Sequence, residues 1–289
     1  MEPRISATTK LYGLIGSPVS HSGSPAMYNY SFAKKGIDAA YLAFDVDKEH
    51  VKDAIDALKT FNMGGMNVTM PGKIEVVKYM DELSDAARIM GAVNTIVNEN
   101  GKLTGHNTDG VGFVLNLKDH GIDIKGKKMT ICGGGGAATA VSVQCVLDGI
   151  RELSIFNKKD EFFGRTVETA EKLKKERPNL VVNVYDIDDE KKLTEEILDS
   201  DLFVNGTVVG MKPMDDKSVV NDLSAFHKDL VVCDVVYNPI ETKLLKEAKA
   251  AGCKTVGGKG MLLWQGVYAF KLYTGEDMPV DEVKELFFK

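Results

Sequence analysis

Short apolar runs alternate with amphipathic segments along most of the chain, and the alternation is most regular after residue 127. Apolar runs of strand length with few polar interruptions are typical of a parallel sheet that is covered on both faces. The runs predict strands at 128–132, 152–157, 181–185, 202–205, 230–234 and 254–256. The segments between them predict helices at 138–147, 163–176, 189–198 and 242–250. This β-α-β order indicates a doubly wound α/β domain.

The first hundred residues show the same alternation in a less regular form. Strands are predicted at 11–15, 41–46, 65–68, 95–98 and 102–104. Helical patterns cover 24–35, 49–60, 73–80 and 85–89, and later 110–117, 261–273 and the segment beyond Pro279. Ser24 is a predicted N-cap ahead of a proline, and Asn100 with Gly101 predicts a hairpin turn. The pattern therefore predicts two α/β domains.

Composition limits the classes of protein to which this chain can belong. With 289 residues, 44% hydrophobic and 27% charged, the chain is long enough for two packed domains. A net charge of −6 indicates no basic surface for nucleic acid or for an anionic membrane. The apolar runs are shorter than a membrane span needs, and residues 1–10 lack the apolar core of a secretory signal. Composition therefore argues against a nucleic acid or a membrane as the partner, and the resemblance described below implies a small-molecule substrate.

The cysteines indicate a reducing compartment rather than a metal site. None of them forms a C-x-x-C pair or lies beside a histidine, which argues against zinc. Two of them fall inside predicted strands, where a free thiol behaves as a small buried hydrophobe. We expect a cytoplasmic protein without a bound metal. The four cysteines are Cys132, Cys145, Cys233 and Cys253.

A glycine-rich turn follows the first strand of the second domain. Gly133, Gly135 and Ala138 have the G-x-G-x-x-A spacing between a predicted strand and a predicted helix. Such a turn presents backbone N–H groups and the positive end of a helix to a pyrophosphate. The motif predicts a Rossmann-type dinucleotide site, and an ordinary tight turn is the alternative. The predicted cofactor contacts here are Gly133, Gly134, Gly135, Gly136 and Ala137.

The end of the next strand bears on the choice of dinucleotide. An acidic side chain there holds the ribose hydroxyls of NAD, whereas basic residues accept the 2′-phosphate of NADP. Here the strand ends at Asn157, which Lys158, Lys159 and Asp160 follow. The lysines favour NADP and the aspartate favours NAD, so we predict that the chain uses NAD, NADP or both. The alternative for any one of these side chains is a solvated loop position.

Two charged residues stand where loops begin. Lys73 lies in a Pro/Gly turn after the strand predicted at 65–68, and Asp109 lies where the first predicted domain meets the second. Catalytic groups concentrate at such loop ends. Oxidation of an alcohol by hydride transfer needs a group that takes the hydroxyl proton. Each charge alone is more often a solvated turn residue, so a wider pattern has to decide its role.

Sequence blocks in one order over nearly the whole chain resemble the shikimate dehydrogenase family. Several ordered blocks are far more specific than any one of them. Two further blocks, 157–163 and 206–213, are more similar to the quinate/shikimate dehydrogenase branch. That branch accepts quinate as well as shikimate, and NAD as well as NADP. The family blocks are 16–25, 67–73, 91–95, 107–109, the glycine-rich turn, 205–207, 234–239 and 260–265.

The resemblance implies a role for each candidate residue. Lys73 and Asp109 would form the catalytic pair beside the C3 hydroxyl, where Lys73 moves the proton, directly or through Asp109 or water. Tyr237 would lie between the substrate and the nicotinamide ring. The implied substrate contacts are Ser22, Ser24, Asn67, Thr69, Asn94, Tyr237 and Gln265. The implied cofactor contacts beyond the glycine-rich turn and the 157–160 loop are Thr207, Gly210, Met211, Val235, Gly258 and Met261.

The resemblance also implies a division of the chain by task. Residues 1–106, completed by C-terminal helices within 259–289, would bind the substrate and carry the catalysis, and 107–258 would bind the dinucleotide. We expect reversible oxidation of shikimate or quinate at C3. A strictly NADP-dependent shikimate dehydrogenase and a non-catalytic ligand sensor on the same fold are the alternatives. The oligomeric state, including a homodimer, stays open.

Two local features carry expectations of their own. Gly134 stands where relatives usually have alanine, and the extra glycine is expected to loosen the turn slightly. The phenylalanine-rich tail at 286–288 has two alternative partners, the first domain or another subunit.

Overall fold

The computed structural model describes residues 5–161 and 163–288. The strands are β1 Lys10–Gly16, β2 Ala39–Asp45, β3 Gly65–Val68, β4 Glu82–Leu83, β5 Thr95–Glu99, β6 Lys102–His106, β7 Lys128–Cys132, β8 Glu152–Asn157, β9 Val181–Asp186, β10 Leu202–Asn205, β11 Val231–Asp234 and β12 Lys254–Val256. The α-helices are α1 Ser24–Lys35, α2 Val51–Thr60, α3 Asp85–Met90, α4 Asp109–Asp119, α5 Gly136–Leu147, α6 Phe163–Glu176, α7 Glu190–Leu198, α8 Lys243–Ala250, α9 Lys259–Thr274 and α10 Val280–Phe287.

The chain divides into two compact units. The first unit contains the chain up to Thr108 and again from Gln265 onward, and the second unit is the continuous segment Asp109–Trp264. Each unit contains its own mostly buried β-sheet, in the order β2-β1-β3-β5-β6-β4 in the first and β12-β11-β10-β7-β8-β9 in the second. The expected α/β class, with a Rossmann-type doubly wound sheet, is confirmed.

The sheet of the first unit is mixed. Strands β1, β2 and β3 run parallel, whereas β5 runs antiparallel to both β3 and β6. The two-residue turn between β5 and β6 has positive φ at both positions, 56° at Asn100 and 93° at Gly101. These are the dihedral signs of the hairpin turn that the Asn-Gly pair predicts. The hairpin brings the beginning of β5 and the end of β6 to the edge where β1 and β3 end.

Aromatic side chains fill one face of the first sheet. Tyr28 and Phe32 of α1 are buried against Phe270 of α9, and Tyr12 of β1 packs on Tyr273 with ring centroids 5.0 Å apart. The segment after Gln265 is therefore part of this unit's core. On the other face, α2 contributes an apolar stripe that is almost fully buried. That stripe consists of Val51, Ile55 and Leu58.

The C-terminal tail packs within the first unit. Phe287 of α10 contacts the ring of Tyr30 on α1 at a centroid distance of 5.8 Å. The hydroxyl of Tyr30 donates to Glu282 at 2.5 Å, and Lys34 pairs with the same carboxylate at 2.9 Å. Of the two alternatives that the sequence left open, the structure therefore has the tail on the first unit.

The second unit has an all-parallel sheet whose neighbouring strands follow the doubly wound order. The strand order reverses between β7 and β10, which lie side by side. In such sheets a ligand binds outside the carboxyl ends of the strands at this reversal. The glycine-rich turn follows β7 directly, so the fold places it at the reversal point.

One helix cap and one helix differ from their predictions, and one short strand was not predicted. Gly23, not Ser24, is the N-cap of α1, because Ser24 already belongs to the helix and its N–H is accepted by the hydroxyl of Ser22 at 3.3 Å. The helical pattern at 73–80 forms a shorter 3-10 helix, Glu75–Tyr79. The two-residue strand β4 has no sequence signal, because it is too short for a period. Over the described ranges, no helix is both long and apolar enough to cross a bilayer.

Candidate active site

Several predicted substrate residues of the first unit lie at one edge of its sheet. Thr69 follows β3, and its N–H donates to the carbonyl of Ile15 at the end of β1, 2.9 Å away. The carbonyl of Lys73 accepts the N–H of Val93 at 2.8 Å, which fixes the Lys73 turn beside Asn94. Backbone hydrogen bonds thus bring residues from three separate segments to the same edge.

The serine loop belongs to the same edge. Ser22 and Ser24 lie in or next to the loop between β1 and α1, and both side chains are half-buried. The N–H of Ser17 donates to the carbonyl of Met70 at 3.0 Å. Gly16 makes this contact feasible, because a Cβ there would overlap Thr69. The loop that carries Ser22 and Ser24 therefore begins beside the turn that carries Thr69 and Lys73.

A buried polar network lies behind this edge. Asn67 and Asn94 are only 7% and 3% exposed. The Asn67 amide donates to the carbonyl of Asn94 at 3.2 Å and to the hydroxyl of Thr95 at 3.0 Å, and it accepts from Tyr41 at 2.7 Å. The side-chain oxygen of Asn94 accepts the N–H of Thr108 at 2.8 Å. Such a network holds amides in one orientation, because each reversal would leave buried polar groups unpaired.

Gln265 joins the network at the point where the chain re-enters the first unit. Its side-chain oxygen accepts from the hydroxyl of Thr108 at 3.4 Å, and Thr108 in turn is bonded to Asn94. Hydrogen bonds thus connect Asn67, Asn94 and, through Thr108, Gln265. The turn that carries Thr69 and Lys73 is fixed at the same edge, and the loop that carries Ser22 and Ser24 begins there.

In the second unit, the turns after β7 and β10 approach each other closely. A Cβ on Gly133 would lie 2.8 Å from the carbonyl oxygen of Gly206, and Gly133 has a φ of 114°. A Cβ on Gly206 would lie 2.6 Å from that of Ala138. Small residues are therefore required at all three places. This geometry fits the use of the G-x-G-x-x-A spacing for close packing of strand, turn and helix.

The beginning of α5 can accept an anion. The helix begins at Gly136 after the N-cap Gly135 and has no acidic residue in its first turn. A Cβ on either glycine would meet no heavy atom of the described residues within 4 Å. Exposed backbone N–H groups and the positive end of a twelve-residue helix suit the pyrophosphate of a dinucleotide. The expected cradle of Gly133, Gly134, Gly135, Gly136 and Ala137 therefore fits this cofactor.

Gly134 differs from its expected role. A Cβ there would overlap the Asn157 amide and the hydroxyl of Thr166, which are hydrogen-bonded to each other at 3.0 Å. The glycine thus lets the turn pack against the end of β8 and the α6 helix. The missing side chain therefore permits a close contact, and the expected loosening of the turn stays a prediction.

The loop after β8 presents charged side chains to solvent. Lys158, Lys159 and Asp160 are exposed, whereas Asn157 is half-buried in its contact with Thr166. The N–H of Asp160 donates to the carbonyl of Lys158 at 2.9 Å, which makes a tight turn there. Both signs of charge are therefore present at the position that distinguishes a ribose hydroxyl from a 2′-phosphate.

A second buried network shapes the loops after β10 and β11. The Asn205 amide donates to Asp234 at 3.0 Å and to the carbonyl of Val209 at 2.9 Å, and its oxygen accepts the Thr207 hydroxyl at 2.7 Å. Gly210 follows with a φ of 98°. Met211 is 41% exposed. Buried hydrogen bonds of Asn205 therefore hold the loop that carries three predicted cofactor contacts. These contacts are Thr207, Gly210 and Met211.

The nicotinamide-side candidates cluster around the end of β11. A Cβ on Gly258 would overlap the carbonyl of Val235, so the chain after β12 packs directly on the loop after β11. Met261 is buried on α9, whereas Tyr237 is 52% exposed. Asn116 of α4 donates to the carbonyl of Gly257 at 3.1 Å and holds the same segment. An exposed aromatic ring thus stands beside a constrained glycine turn.

Asp109 is the first residue of α4 and is half-buried. Its helix is tightly seated on α5, because a Cβ on the next residue, Gly110, would overlap the carbonyl of Ala140. Asp109 belongs to the second unit and Lys73 to the first. Their predicted pairing therefore stays a prediction.

Sequence reasoning missed the residues that orient the predicted contacts. Thr108 and Asp234 lie inside the family blocks, at 107–109 and 234–239, and that proximity was the available signal. Thr95 likewise lies inside a family block, at 91–95, whereas Thr242 lies just beyond the block that contains its partner Asp234. Tyr41 belongs to no block and its partner Asn67 is 26 residues away, so only the fold reveals it.

Comparison with known proteins identifies relatives over the full length of the chain. Residues 14–96 match the family model "Shikimate dehydrogenase substrate binding domain", and residues 258–286 match "Shikimate 5'-dehydrogenase C-terminal domain". The chain is 48% identical over 285 residues to the shikimate dehydrogenase (NADP(+)) of Listeria innocua, covering 99% of this chain and 98% of the relative. It is 45% identical to a quinate/shikimate dehydrogenase of Escherichia coli, covering 98% of each.

A solved structure extends the similarity to the fold. The shikimate 5-dehydrogenase of Listeria monocytogenes, crystallised with shikimate and NAD, is 47% identical in sequence. It superposes with a TM-score of 0.96 and covers 100% of this chain and 99% of its own. Identity and coverage at this level show family membership as well as a shared fold.

Proposed function

The chain belongs to the shikimate dehydrogenase family, and on this premise we propose that it oxidises the C3 hydroxyl of shikimate reversibly to the 3-keto product, with quinate as a second substrate. It is an oxidoreductase that uses a nicotinamide dinucleotide. The cofactor, when bound, supplies the acceptor for the hydride that leaves C3. The chain's own residues bind the ring, orient it and handle the proton of the hydroxyl.

Lys73 and Asp109 are the proposed proton-handling pair. In the oxidation, the C3–H bond electrons leave as hydride and the C3–O–H bond loses its proton, so a ketone remains. The amine of Lys73 takes this proton, directly or through Asp109 or a water, and Asp109 orients the hydroxyl. In the reverse direction the same groups return the proton to the carbonyl oxygen.

The observation that carries the proposal is the convergence of polar side chains at one edge of the first sheet. A polyol carboxylate needs many directed hydrogen bonds, and sites built to hydrogen-bond hydroxyls discriminate strongly against analogues that lack them. Ser22 and Ser24 supply hydroxyls for the carboxylate, and Thr69, Asn94 and Gln265 supply groups for the ring. The units' tasks follow: the first binds substrate and the second, with its glycine-rich turn, binds the dinucleotide.

The choice of cofactor rests on the loop after β8. Exposed Lys158 and Lys159 favour the 2′-phosphate of NADP, and Asp160 favours the free ribose hydroxyls of NAD. We therefore propose that the enzyme accepts both. A strictly NADP-dependent enzyme is the second candidate, and the pair of lysines is the observation that favours it.

One assay tests the proposed activity and its alternatives. Purified protein is incubated with shikimate or quinate and with NAD or NADP, and the absorbance at 340 nm is followed. Reduction of both cofactors with both substrates is the expected result. Activity with shikimate and NADP alone would favour the strict enzyme, and absence of turnover in all four mixtures would end the proposal.

Variants of the proton-handling pair extend this assay. Lys73→Met and Asp109→Asn should each lower kcat by roughly a hundredfold or more, which is the usual scale for a lost acid–base group. Lys78→Met is the matched control, because Lys78 is an exposed lysine of the neighbouring 3-10 helix that pairs with Glu75. Near-normal turnover in either pair variant would remove that residue from the chemistry.

A further inference from the structure

The direction of hydrogen-bond donation in the buried network of the first unit is fixed. A backbone N–H, which can only donate, sets the direction of the first bond. The N–H of Thr108 lies 2.8 Å from the Oδ1 of Asn94, so this atom must be the amide oxygen. The hydroxyl of Thr95 donates to the same oxygen at 2.9 Å. Because the single hydroxyl proton of Thr95 is used in this hydrogen bond, the Thr95 hydroxyl can only accept hydrogen bonds from its other neighbours.

The amide of Asn67 is oriented by this chain of donors. Its Nδ2 donates to the backbone carbonyl of Asn94 at 3.2 Å and to the Oγ1 of Thr95 at 3.0 Å. A carbonyl cannot donate, and the Thr95 proton is engaged elsewhere. A reversed Asn67 amide would therefore set its oxygen against two acceptors, which is costly in a buried site.

Tyr41 completes the arrangement from the opposite side. Its hydroxyl donates to the Oδ1 of Asn67 at 2.7 Å. Burial raises the pKa of Tyr41 well above its usual value, so the phenol stays protonated. Its ring stacks on Tyr28 at a centroid distance of 4.4 Å, and the side chain of Asn29 bonds both its N–H and its carbonyl, at 2.9 and 2.7 Å.

We propose that Tyr41 is a positioning residue that holds Asn67 as a hydrogen-bond acceptor toward the substrate. This rests on the proposed function, in which Asn67 contacts the ring. Both N–H groups of Asn67 are engaged with described residues, and so is one lone pair of its oxygen. A further bond to this amide is therefore one that Oδ1 accepts. The site selects a ring hydroxyl at this point, because a group that only accepts would face the amide oxygen.

The test replaces Tyr41 by phenylalanine and compares it with a matched control. Tyr12→Phe also removes a buried tyrosine hydroxyl from the first unit, but this hydroxyl donates to the carbonyl of Tyr273 at 3.2 Å, away from Asn67. Tyr41→Phe should raise the KM for shikimate about tenfold, the scale of one buried hydrogen bond. The KM for the cofactor should be unchanged, and kcat should change by no more than about twofold, because Lys73 and Asp109 are untouched.

A loss of stability does not distinguish a positioning role of Tyr41 from a purely structural role. The KM for shikimate does. Both variants should lower the Tm of the ligand-free protein to a similar extent, and only Tyr41→Phe should change the KM for shikimate. A shikimate KM in Tyr41→Phe equal to that in Tyr12→Phe would overturn the proposal and leave Tyr41 a purely structural residue.

Analogues supply a second arm. Shikimate derivatives that keep the reacting C3 hydroxyl and each lack one of the other ring hydroxyls are assayed with the original enzyme and with Tyr41→Phe. For one derivative, the ratio of kcat/KM between shikimate and the analogue should fall about tenfold in the variant, because Oδ1 of Asn67 has lost the Tyr41 hydroxyl that holds it toward the ring hydroxyl. Identical ratios for every derivative in both proteins would contradict the assignment.

The proposed function and this inference fail in different ways. An enzyme that turns over shikimate while Tyr41→Phe behaves as the control contradicts the inference alone. Protein without turnover, whose calorimetric affinity for shikimate nevertheless drops in Tyr41→Phe and not in Tyr12→Phe, contradicts the oxidation alone.

Discussion

Asp234 ties together three segments at the carboxyl edge of the parallel sheet. It is only 2% exposed and accepts hydrogen bonds from Asn205 at 3.0 Å, from the N–H of Val236 at 2.9 Å and from Thr242 at 2.7 Å. Thr242 is also the N-cap of α8. Burial nevertheless raises the pKa of Asp234 to about 6, because these hydrogen bonds offset only part of the lost hydration.

This raised pKa predicts an unusual pH dependence of stability. From the ordinary value of 3.8 to about 6, the folded state binds the proton more tightly than the unfolded chain. The resulting stabilisation is fully present below pH 4 and is lost as the pH rises through 6. Between pH 4 and 7, the free energy of unfolding of Asp234→Asn should therefore gain about 2 kcal/mol relative to the original protein.

Urea titrations at pH 4, 5, 6 and 7 measure this difference. Asp222→Asn is the control, because hydrogen bonds from Ser224 lower the pKa of that exposed carboxyl and reverse the sign of its contribution. A difference between Asp234→Asn and the original protein that stays constant over this range would show that Asp234 titrates as an ordinary aspartate.

At the scale of elements, the turn after β7 and the beginning of α6 pack as one piece. Gly134 makes this feasible, since the Asn157 amide and the Thr166 hydroxyl occupy the space of a side chain. The same turn leaves open space at Gly135, whose φ of −74° and ψ of 179° suit any residue. Adjacent glycines therefore serve two different purposes, one for packing and one for ligand approach.

Alanine substitutions separate these purposes in the ligand-free protein. Gly134→Ala should lower the free energy of unfolding by about 1–3 kcal/mol, because Asn157 or Thr166 has to move and their hydrogen bond is strained. Gly135→Ala should change it by less than about 0.5 kcal/mol. Urea unfolding of both variants measures the contrast, and equal stability of the two would show that the turn yields without cost.

The sequence predicts the bounds of a strand best where the strand is buried on both faces of the sheet. Strands β7, β8 and β10 begin and end at their predicted residues, because a strand covered on both faces is a largely apolar run. The two-residue β4 has no such run. The cap of α1 was misplaced, because Ser22 rather than Ser24 bonds the first free N–H and only coordinates distinguish these neighbours.

The sequence predicted the candidate site residues but not the hydrogen bonds that orient them. Motifs located Asn67, Asn94 and Gln265, since each lies in a family block. The partners that orient them are remote in sequence: Tyr41 is 26 residues from Asn67, and Thr108 is 157 residues from Gln265. Hydrogen bonds between such positions depend on how distant segments pack together, which no local pattern encodes.

For the whole molecule, the defining feature is that the first unit is built from two separated stretches of chain. The second of them contributes Phe270 and Val283, which are fully buried, and the α10 helix that bonds to α1. The second unit is one continuous segment with its own sheet. Loss of the C-terminal stretch therefore affects the two units unequally.

A chain that ends after Pro279 tests this asymmetry. It lacks α10, so it should unfold at a lower urea concentration, and limited proteolysis should cut first within the first unit while a fragment spanning about 109–264 resists. Leu286→Ala is the control, because it changes an exposed position of the same helix and should be nearly neutral. Faster cleavage within 109–264 would contradict the expected order.

The contact among Gly134, Asn157 and Thr166 also bears on attempts to redirect this enzyme to a single coenzyme. Exchange of the loop after β8 with that of a homologue is not a local operation, because Asn157 at the strand's end occupies the space that a side chain at position 134 would need. A transplanted strand end has to fit the same turn. A successful loop exchange will therefore transfer the residues at positions 134, 157 and 166 together.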